Sequence, residues 1–419
     1  MTWPSQVLAP TGAGPVWVHA SNPSAVNPVV RAALYLFVFS IPFEMPDRTI
    51  PIEVPTLTGF ILLFSTVLNP SACFRRIPAA IWCFGIYLWT FLVGMAMHRV
   101  QFEVLAVELF LALLQLALLF WVIHNLLADR GAMAGALIAF VAAVALRAGI
   151  QVLGIGTTAH AVYTGGSRIT AFGQNANLSA MILAAGLAAV VGLRATARPF
   201  PRLGLLTWPI ALVIGVAIIQ TGSRGGLLCA LAGLAIFAFR GQTAWQRVRN
   251  GIVTVGGLAL LAWGALHSAV MGPRITQAEE GQLAGRERIY PAAMEMFAER
   301  PWFGWGPVDN QLEVARRIDE AKRGRRDAHN LLLELLTATG VIGAVPFLAG
   351  VFLCVRRAWV ARAGPLSVMP LAMLVAVFTG TVSGTWIASK ILWLTLAFAL
   401  AAGAHGPSTV PLPESEAAG

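Results

Sequence analysis

Apolar positions in this chain come in unbroken runs, not in alternating stripes. Runs lie at about 29–44, 54–68, 79–97, 104–127, 132–153, 176–193, 204–221, 223–239, 251–271, 330–355, 366–383 and 386–404. A helix of roughly 17 to 25 such residues crosses the ~30 Å of hydrocarbon in a bilayer. The period-two alternation that a membrane strand needs is absent from these runs. The pattern predicts an all-α polytopic membrane protein of about twelve transmembrane helices. Arg31 and Pro42 leave the first run short, and only Thr221-Gly222-Ser223-Arg224-Gly225-Gly226 separates the seventh from the eighth.

One long stretch, Gly272 to Asn330, is too polar for any membrane. Ile289, Ala292, Ala293, Met296 and Phe297 recur at helical spacing within it, with Pro291 expected in the first turn and Arg300-Pro301 as the stop. Asp309 is expected to cap a second helix with Leu312, Ala315 and Ile318 on one side and Gly324 as its end. The predicted organisation is a tail at 1–28, helices one to nine at 29–271, a partly helical loop domain at 272–328, helices ten to twelve at 329–404 and a second tail at 405–419.

Composition agrees with the pattern. Hydrophobic residues make up 57% of the 419 and charged residues only 11%, against about 25% charged in a soluble domain. Residues 1–28 contain no Lys or Arg and no early apolar core, so no cleaved signal peptide is expected there. Arginines after alternate runs (Arg75 and Arg76; Arg130; Arg194, Arg198 and Arg202; Arg240, Arg247 and Arg249; Arg356, Arg357 and Arg362) outnumber those on the opposite side (Arg48, Arg99, Arg168 and Arg224). The richer side is cytoplasmic by the positive-inside rule, so both tails face the cytoplasm and the large loop faces outward, into the periplasm of a Gram-negative cell. In that loop ten of the chain's 29 basic residues are matched by ten of its 19 acids, so its charge is local and not net. The formal charge of +10 in so apolar a chain points to anionic membrane lipids and lipid-linked phosphates, not to nucleic acid. Cys83, Cys229 and Cys354 fall in apolar runs and Cys73 in a short basic loop, which suggests neither a disulfide framework nor a thiolate metal site.

The chemistry-bearing residues gather on the outward side. His329 stands where the loop re-enters the membrane, and histidine, with a reference pKa near ~6.5, suits proton removal at neutral pH. A boundary histidine bonded to a carbonyl or to water is the alternative. Asp327 or Glu334 would orient its ring. Arg147, Arg168, Arg224, Arg286 and Arg288 lie at or near the outer face, where several guanidinium groups make a bidentate site for phosphate. Lys390 is a weaker candidate for the same role. Asn175 and Asn177 open the sixth run with amides suited to sugar hydroxyls or to capping that helix, and Asn330 adjoins the histidine. No metal-ligand spacing links His19, His98, His124, His160, His267 and His405, so no metal and no cofactor are expected.

Four blocks in this order resemble the O-antigen ligase and polymerase superfamily: Arg168 to Asn177; Thr221 to Gly226; Gly285 to Tyr290 with Pro301-Trp302-Phe303-Gly304-Trp305-Gly306; and Ala328-His329-Asn330 with Gly340-Val341-Ile342-Gly343. The resemblance implies a membrane-embedded glycosyltransferase fold of the C type. It implies transfer of a glycan from undecaprenyl pyrophosphate to lipid A-core, without metal, in the bacterial inner membrane with the site facing the periplasm. It maps a catalytic base to His329 and essential arginines to Arg224 and Arg288, with Arg168 beside them. Pro291 stands where the family usually has tryptophan. An O-antigen polymerase would divide its outer sequence between two large loops, and a protein O-oligosaccharyltransferase would be longer at its C-terminal side; the single large loop favours the ligase. A transporter or flippase for lipid-linked glycan predicts symmetric halves, which the one large loop breaks. A loop that merely binds a partner protein is the remaining alternative.

Overall fold

The computed structural model describes residues 26–45, 53–98, 103–161, 167–195, 203–241, 243–279, 285–320 and 324–405. The tails expected at 1–28 and 405–419 lie almost wholly outside these residues. The first half contains α1 (Pro28–Ser40), α2 (Val54–Ser65), the short α3 (Pro70–Cys73), α4 (Ala79–His98), α5 (Glu103–Leu126) and α6 (Arg130–Val152). After β1 (Thr157–Ala161) and β2 (Ser167–Ala171) come α7 (Ala176–Ala195), α8 (Leu203–Gln220), α9 (Arg224–Ala235) and α10 (Ala244–Leu266). The loop domain holds α11 (Gly272–Glu279), α12 (Arg286–Glu299) and α13 (Asp309–Arg317), and α14 (Leu331–Val360), α15 (Met369–Gly380) and α16 (Lys390–Ala402) follow.

Among the described residues, six helices are long and apolar enough to cross a membrane: those at Ala79–Met97, Val104–Leu126, Arg130–Val152, Ala176–Arg194, Ala244–Leu266 and Leu331–Ala363. Shorter apolar helices occupy the other predicted runs, at Pro28–Phe43, Val54–Leu68, Leu205–Gln220, Arg224–Phe239, Met369–Gly380 and Lys390–Ala402. The chain is therefore a multi-pass, mostly helical membrane protein.

Its centre is the group α7, α9 and α15. Lipid tails are as apolar as leucine, so helices in a membrane gain little from hiding leucine from each other and instead pack through small residues. A Cβ at Gly226 would run into Ala180, one at Gly233 into Ala376, and one at Gly192 into Met369. Helix α7 is accordingly 83% buried over its apolar window, whereas α10 is only 11% buried and lies at the edge of the bundle.

The structure adds one element and moves two helix starts from where the sequence placed them. Before α7, β1 and β2 form an antiparallel hairpin pairing Thr157 with Ala171 and His160 with Arg168. Its β-branched strand residues and the Gly165-Gly166 pair between them are hairpin signals. Helix α12 begins at Arg286, so Pro291 falls in its second turn, and Asp309 is the first residue of α13, whose N-cap is Val308.

The loop domain is fastened to the membrane bundle at a break in α14. Gly340 has φ 64° and ψ −166°, a conformation almost confined to glycine, and it interrupts the helical ladder. The segment Pro301 to Gly306 lies across the break. Val341 N donates to the Pro301 carbonyl at 2.8 Å, Trp305 N to Thr337 O at 2.7 Å and Gly306 N to Ala338 O at 3.1 Å. Backbone groups freed by the kink are thus paired inside the protein, as the bilayer requires. Behind this contact Ile289, Ala292, Met296, Val314 and Ile318 make the small core that joins α12 to α13. Arg300 stacks over Trp305 with its guanidinium carbon 3.9 Å from the ring centroid.

A Cβ at Gly340 would run into the Trp302 carbonyl. Gly340→Ala is expected to destabilise the protein by about 3 kcal/mol, from strain at a positive φ alone. The midpoint of thermal unfolding in detergent should fall, and an unchanged midpoint would remove the break as a structural necessity.

Candidate active site

Arginines from four separate elements meet beside the glycine turn before α9. Arg168 on β2 donates from Nε to the Thr221 carbonyl and from Nη2 to Asn177 Oδ1, both at 2.9 Å. The same Asn177 oxygen accepts from Ser223 Oγ at 2.8 Å, and Ser223 Oγ caps α9 by accepting from Gly226 N at 3.0 Å. Arg224 follows directly and donates from Nη1 to the carbonyl of Arg274 at 3.2 Å. Gly222, at φ 60°, is the close approach: a Cβ there would lie 3.2 Å from Arg274 Cδ and 3.4 Å from Arg168 Cγ. Arg286 reaches the Ser383 carbonyl from Nη2 at 2.8 Å.

Burial first, and then the positive charges of Arg274, Arg224 and Arg286, pull the Arg168 guanidinium down to about 10. Burial and Arg224 lower Arg274 in the same direction. Arg274 is 9% exposed, and among the described residues its Nε and Nη1 are buried with no hydrogen-bond partner. An unpaired buried cation is costly, so this arrangement calls for an anion. Arg274 was visible in the sequence only as one of the loop's ten bases. Its place two residues after the polar stretch begins at Gly272 was the signal available.

His329 is positioned from the other side. It takes φ 48° in the turn before α14, an uncommon conformation for a residue with a side chain. Its Nδ1 lies 2.7 Å from Asp327 Oδ1, and Asp327 Oδ2 accepts from Thr385 Oγ1 at 2.6 Å. Burial pushes the Asp327 carboxyl up, but the hydrogen bond and charge of His329 and the Thr385 hydroxyl outweigh it and hold the group below its usual range. A carboxylate on Nδ1 fixes the tautomer that leaves Nε2 unprotonated, the form that accepts a proton.

The segment Thr381 to Thr385, between α15 and α16, joins the two groups. Its carbonyls accept from Leu331 N at Thr381 (2.9 Å), from the Tyr290 hydroxyl at Val382 (2.9 Å) and from Arg286 at Ser383. A Cβ at Gly225, next to Arg224, would stand 2.5 Å from Ser383 Oγ. No residue of this segment carries a charge, so nothing in the sequence marked it.

Of the residues expected in the site, Arg168, Arg224, Arg286 and Asn177 come together, and His329 is tied to them through the 381–385 segment. Others are engaged elsewhere. Arg288 pairs with Glu320 at 3.0 Å and its side chain is 59% exposed. Arg147, 1% exposed, donates to Ser179 Oγ and to the Ser179 carbonyl between α6 and α7. Lys390 Nζ is held by Glu44 at 3.1 Å and Glu53 at 2.6 Å. Asn175 caps α7 by accepting from Asn177 N at 2.9 Å, and Asn330 caps α14 by accepting from Leu332 N at 2.9 Å. Glu334 does not touch the imidazole: it accepts from Asn310 at 3.0 Å, from Gln311 at 2.9 Å and from Ala328 N at 3.1 Å, which fixes the chain just before the histidine.

No curated protein matches the chain. Residues 209–348 match a protein-family model described as O-antigen ligase (Wzy_C). That segment contains the glycine turn, Arg224, Arg274, Arg286, the loop domain, His329 and the Gly340 break, and the match supports the O-antigen ligase superfamily.

Proposed function

We propose that the chain is an O-antigen ligase, which transfers a glycan from undecaprenyl pyrophosphate to lipid A-core at the periplasmic face of the inner membrane. The family comprises glycosyltransferase-like ligases and polymerases, which supports an enzyme acting on lipid-linked glycans. The observation that carries the finer reading is a proton acceptor and an anion site tied together by one short segment. A sugar hydroxyl is a weak nucleophile. His329 Nε2 removes its proton as the oxygen attacks the anomeric carbon, the bond from that carbon to the pyrophosphate oxygen breaks, and the configuration inverts. Asp327 stabilises the imidazolium that forms. The departing undecaprenyl pyrophosphate gathers negative charge, which Arg168, Arg224, Arg274 and Arg286 stabilise more strongly in a partly desolvated site than in water. Lys390, neutralised by two carboxylates, ties α16 to the chain on either side of the first outer loop.

Transfer is measured with purified protein in vesicles supplied with the lipid-linked glycan and lipid A-core. His329→Ala is expected to lower kcat by about 10²–10⁴; a normal rate would sink the base role. Arg286→Ala should cost about 10²–10³, the range for one donor to a developing oxyanion. Arg288→Ala, at a screened surface pair, should stay within about a few-fold. Equal losses in the two variants would return Arg288 to the site.

Thr385 is a positioning residue, since it acts on the histidine through Asp327. Thr385→Val should lower kcat by about tenfold, equivalent to one hydrogen bond to a charged group, with KM little changed and with Thr385→Ser restoring the rate. A shift confined to KM, or no rescue by serine, would show that the hydroxyl serves packing alone.

A further inference from the structure

Arg168 owes its direction to two anchors, and helix α6 grips the support of each. One anchor is the Thr221 carbonyl just past α8, where Thr221 N bonds back to the Ala217 carbonyl at 3.2 Å. Gln151 of α6, itself buried, donates from Nε2 to that same Ala217 carbonyl at 2.7 Å. The other anchor is Asn177 Oδ1 in the first turn of α7. Arg147 of α6, one turn before Gln151 and equally buried, donates to the hydroxyl and the carbonyl of Ser179, whose own N–H closes that turn on the Asn175 carbonyl at 2.8 Å. Residues four apart share a helix face, so α6 holds the end of α8 and the start of α7 with neighbouring side chains.

Stability explains neither brace. A guanidinium inside a membrane helix is expensive, and among the described residues no carboxylate pairs with Arg147, whose bonds go to Ser179. Ser179 does not need it, because a serine hydroxyl in a helix can turn back to the carbonyl one turn earlier. The Ala217 carbonyl is likewise served by Thr221 N. Close packing of α6 on α7 is secured elsewhere: a Cβ at Gly186 would overlap Val144, one turn before Arg147. What Arg147 adds is geometry. A planar fork with two donors on two acceptors of one residue fixes a distance and an angle, which an apolar contact leaves free to slide.

We propose that Arg147 and Gln151 are positioning residues for the anion site: together they set the separation of Asn177 and Thr221 that Arg168 spans, and so aim its guanidinium at the cluster it forms with Arg224, Arg274 and Arg286. The proposal rests on the reading of that cluster as a pyrophosphate site. Both residues act through Arg168, which separates their role from one in folding.

Binding of inorganic pyrophosphate to the full chain in detergent is measured by isothermal titration calorimetry, beside the midpoint of thermal unfolding. Arg168→Ala should weaken binding by about ten- to a hundredfold, the range for bonds to a charged group. Arg147→Met should weaken it by about tenfold, no more than the loss of the arginine it positions, while the unfolding midpoint holds or rises because a buried charge without a counter-charge has gone. Gln151→Met, which alters no charge, should weaken binding by about threefold, the scale of one neutral hydrogen bond. In an Arg168→Ala background neither Met substitution should weaken binding further. Arg147→Lys keeps the charge without the fork and should bind no better than Arg147→Met. If Arg147→Met does not fold, Gln151→Met carries the same comparison by itself. The proposal is overturned if the Met variants bind pyrophosphate as the wild type does, if they cost as much in the Arg168→Ala background, or if Arg147→Lys restores wild-type affinity, which would assign the effect to charge alone. Failure of the pyrophosphate reading has a different signature: a wild type that binds no pyrophosphate, or Arg168→Ala and Arg224→Ala that bind it as before, which overturns the proposal with it.

Discussion

The interruption of α14 at Gly340 is the contact on which the loop side of the protein depends. Polar backbone groups exposed by a kink at membrane depth have no water to bond. Here the loop supplies the partners, from Pro301 to Gly306, and in doing so becomes part of the membrane bundle. Both ends of the loop domain are fixed as a result. Helix α12 directs Arg286 onto the 381–385 segment, and the last turn before α14 sets His329 beside Asp327. The loop is less a lid over a finished site than a wall of it.

Charge is then sorted by partner. Most of the loop's acids whose bonds are described serve its own bases: Glu320 binds Arg288 and Arg326, and Glu299 and Glu313 bind Arg317. These are largely surface pairs worth little stability individually, yet they settle which arginines are occupied. Arg168, bonded to the Thr221 carbonyl and the Asn177 amide, faces the charge of Arg274, and Arg274 faces that of Arg224; burial first, and then these charges, lower the proton affinity of both. The same fold therefore makes a neutral outer surface and a positive inner pocket from one set of residues.

Much of the fold was legible along the chain. The runs of apolar residues gave the helices, because a bilayer imposes a length and a polarity that no soluble helix must meet. His329 and Arg224 were legible as candidates because a titratable or charged group beside a membrane span is expensive without a purpose. Asn175 and Asn177 were harder, since capping and binding use the same side chain: the structure gives the cap to Asn175 and the arginine contact to Asn177. The hairpin of β1 and β2 is too short to register as a membrane-length apolar run.

What the sequence determined by itself was the class of protein, the separation of one polar stretch from the apolar runs and a set of candidate residues, all set by local composition. The tertiary structure alone decided which arginines share a pocket. Arg286 and Arg288 are two residues apart, about 200° around a helix with ~3.6 residues per turn, so one turns inward to Ser383 and the other outward to Glu320. Arg274 and Thr385 belong with the candidate site for the same reason. Their partners lie scores of residues away in the chain, and only the packing of α9, α11 and the 381–385 segment brings them within reach.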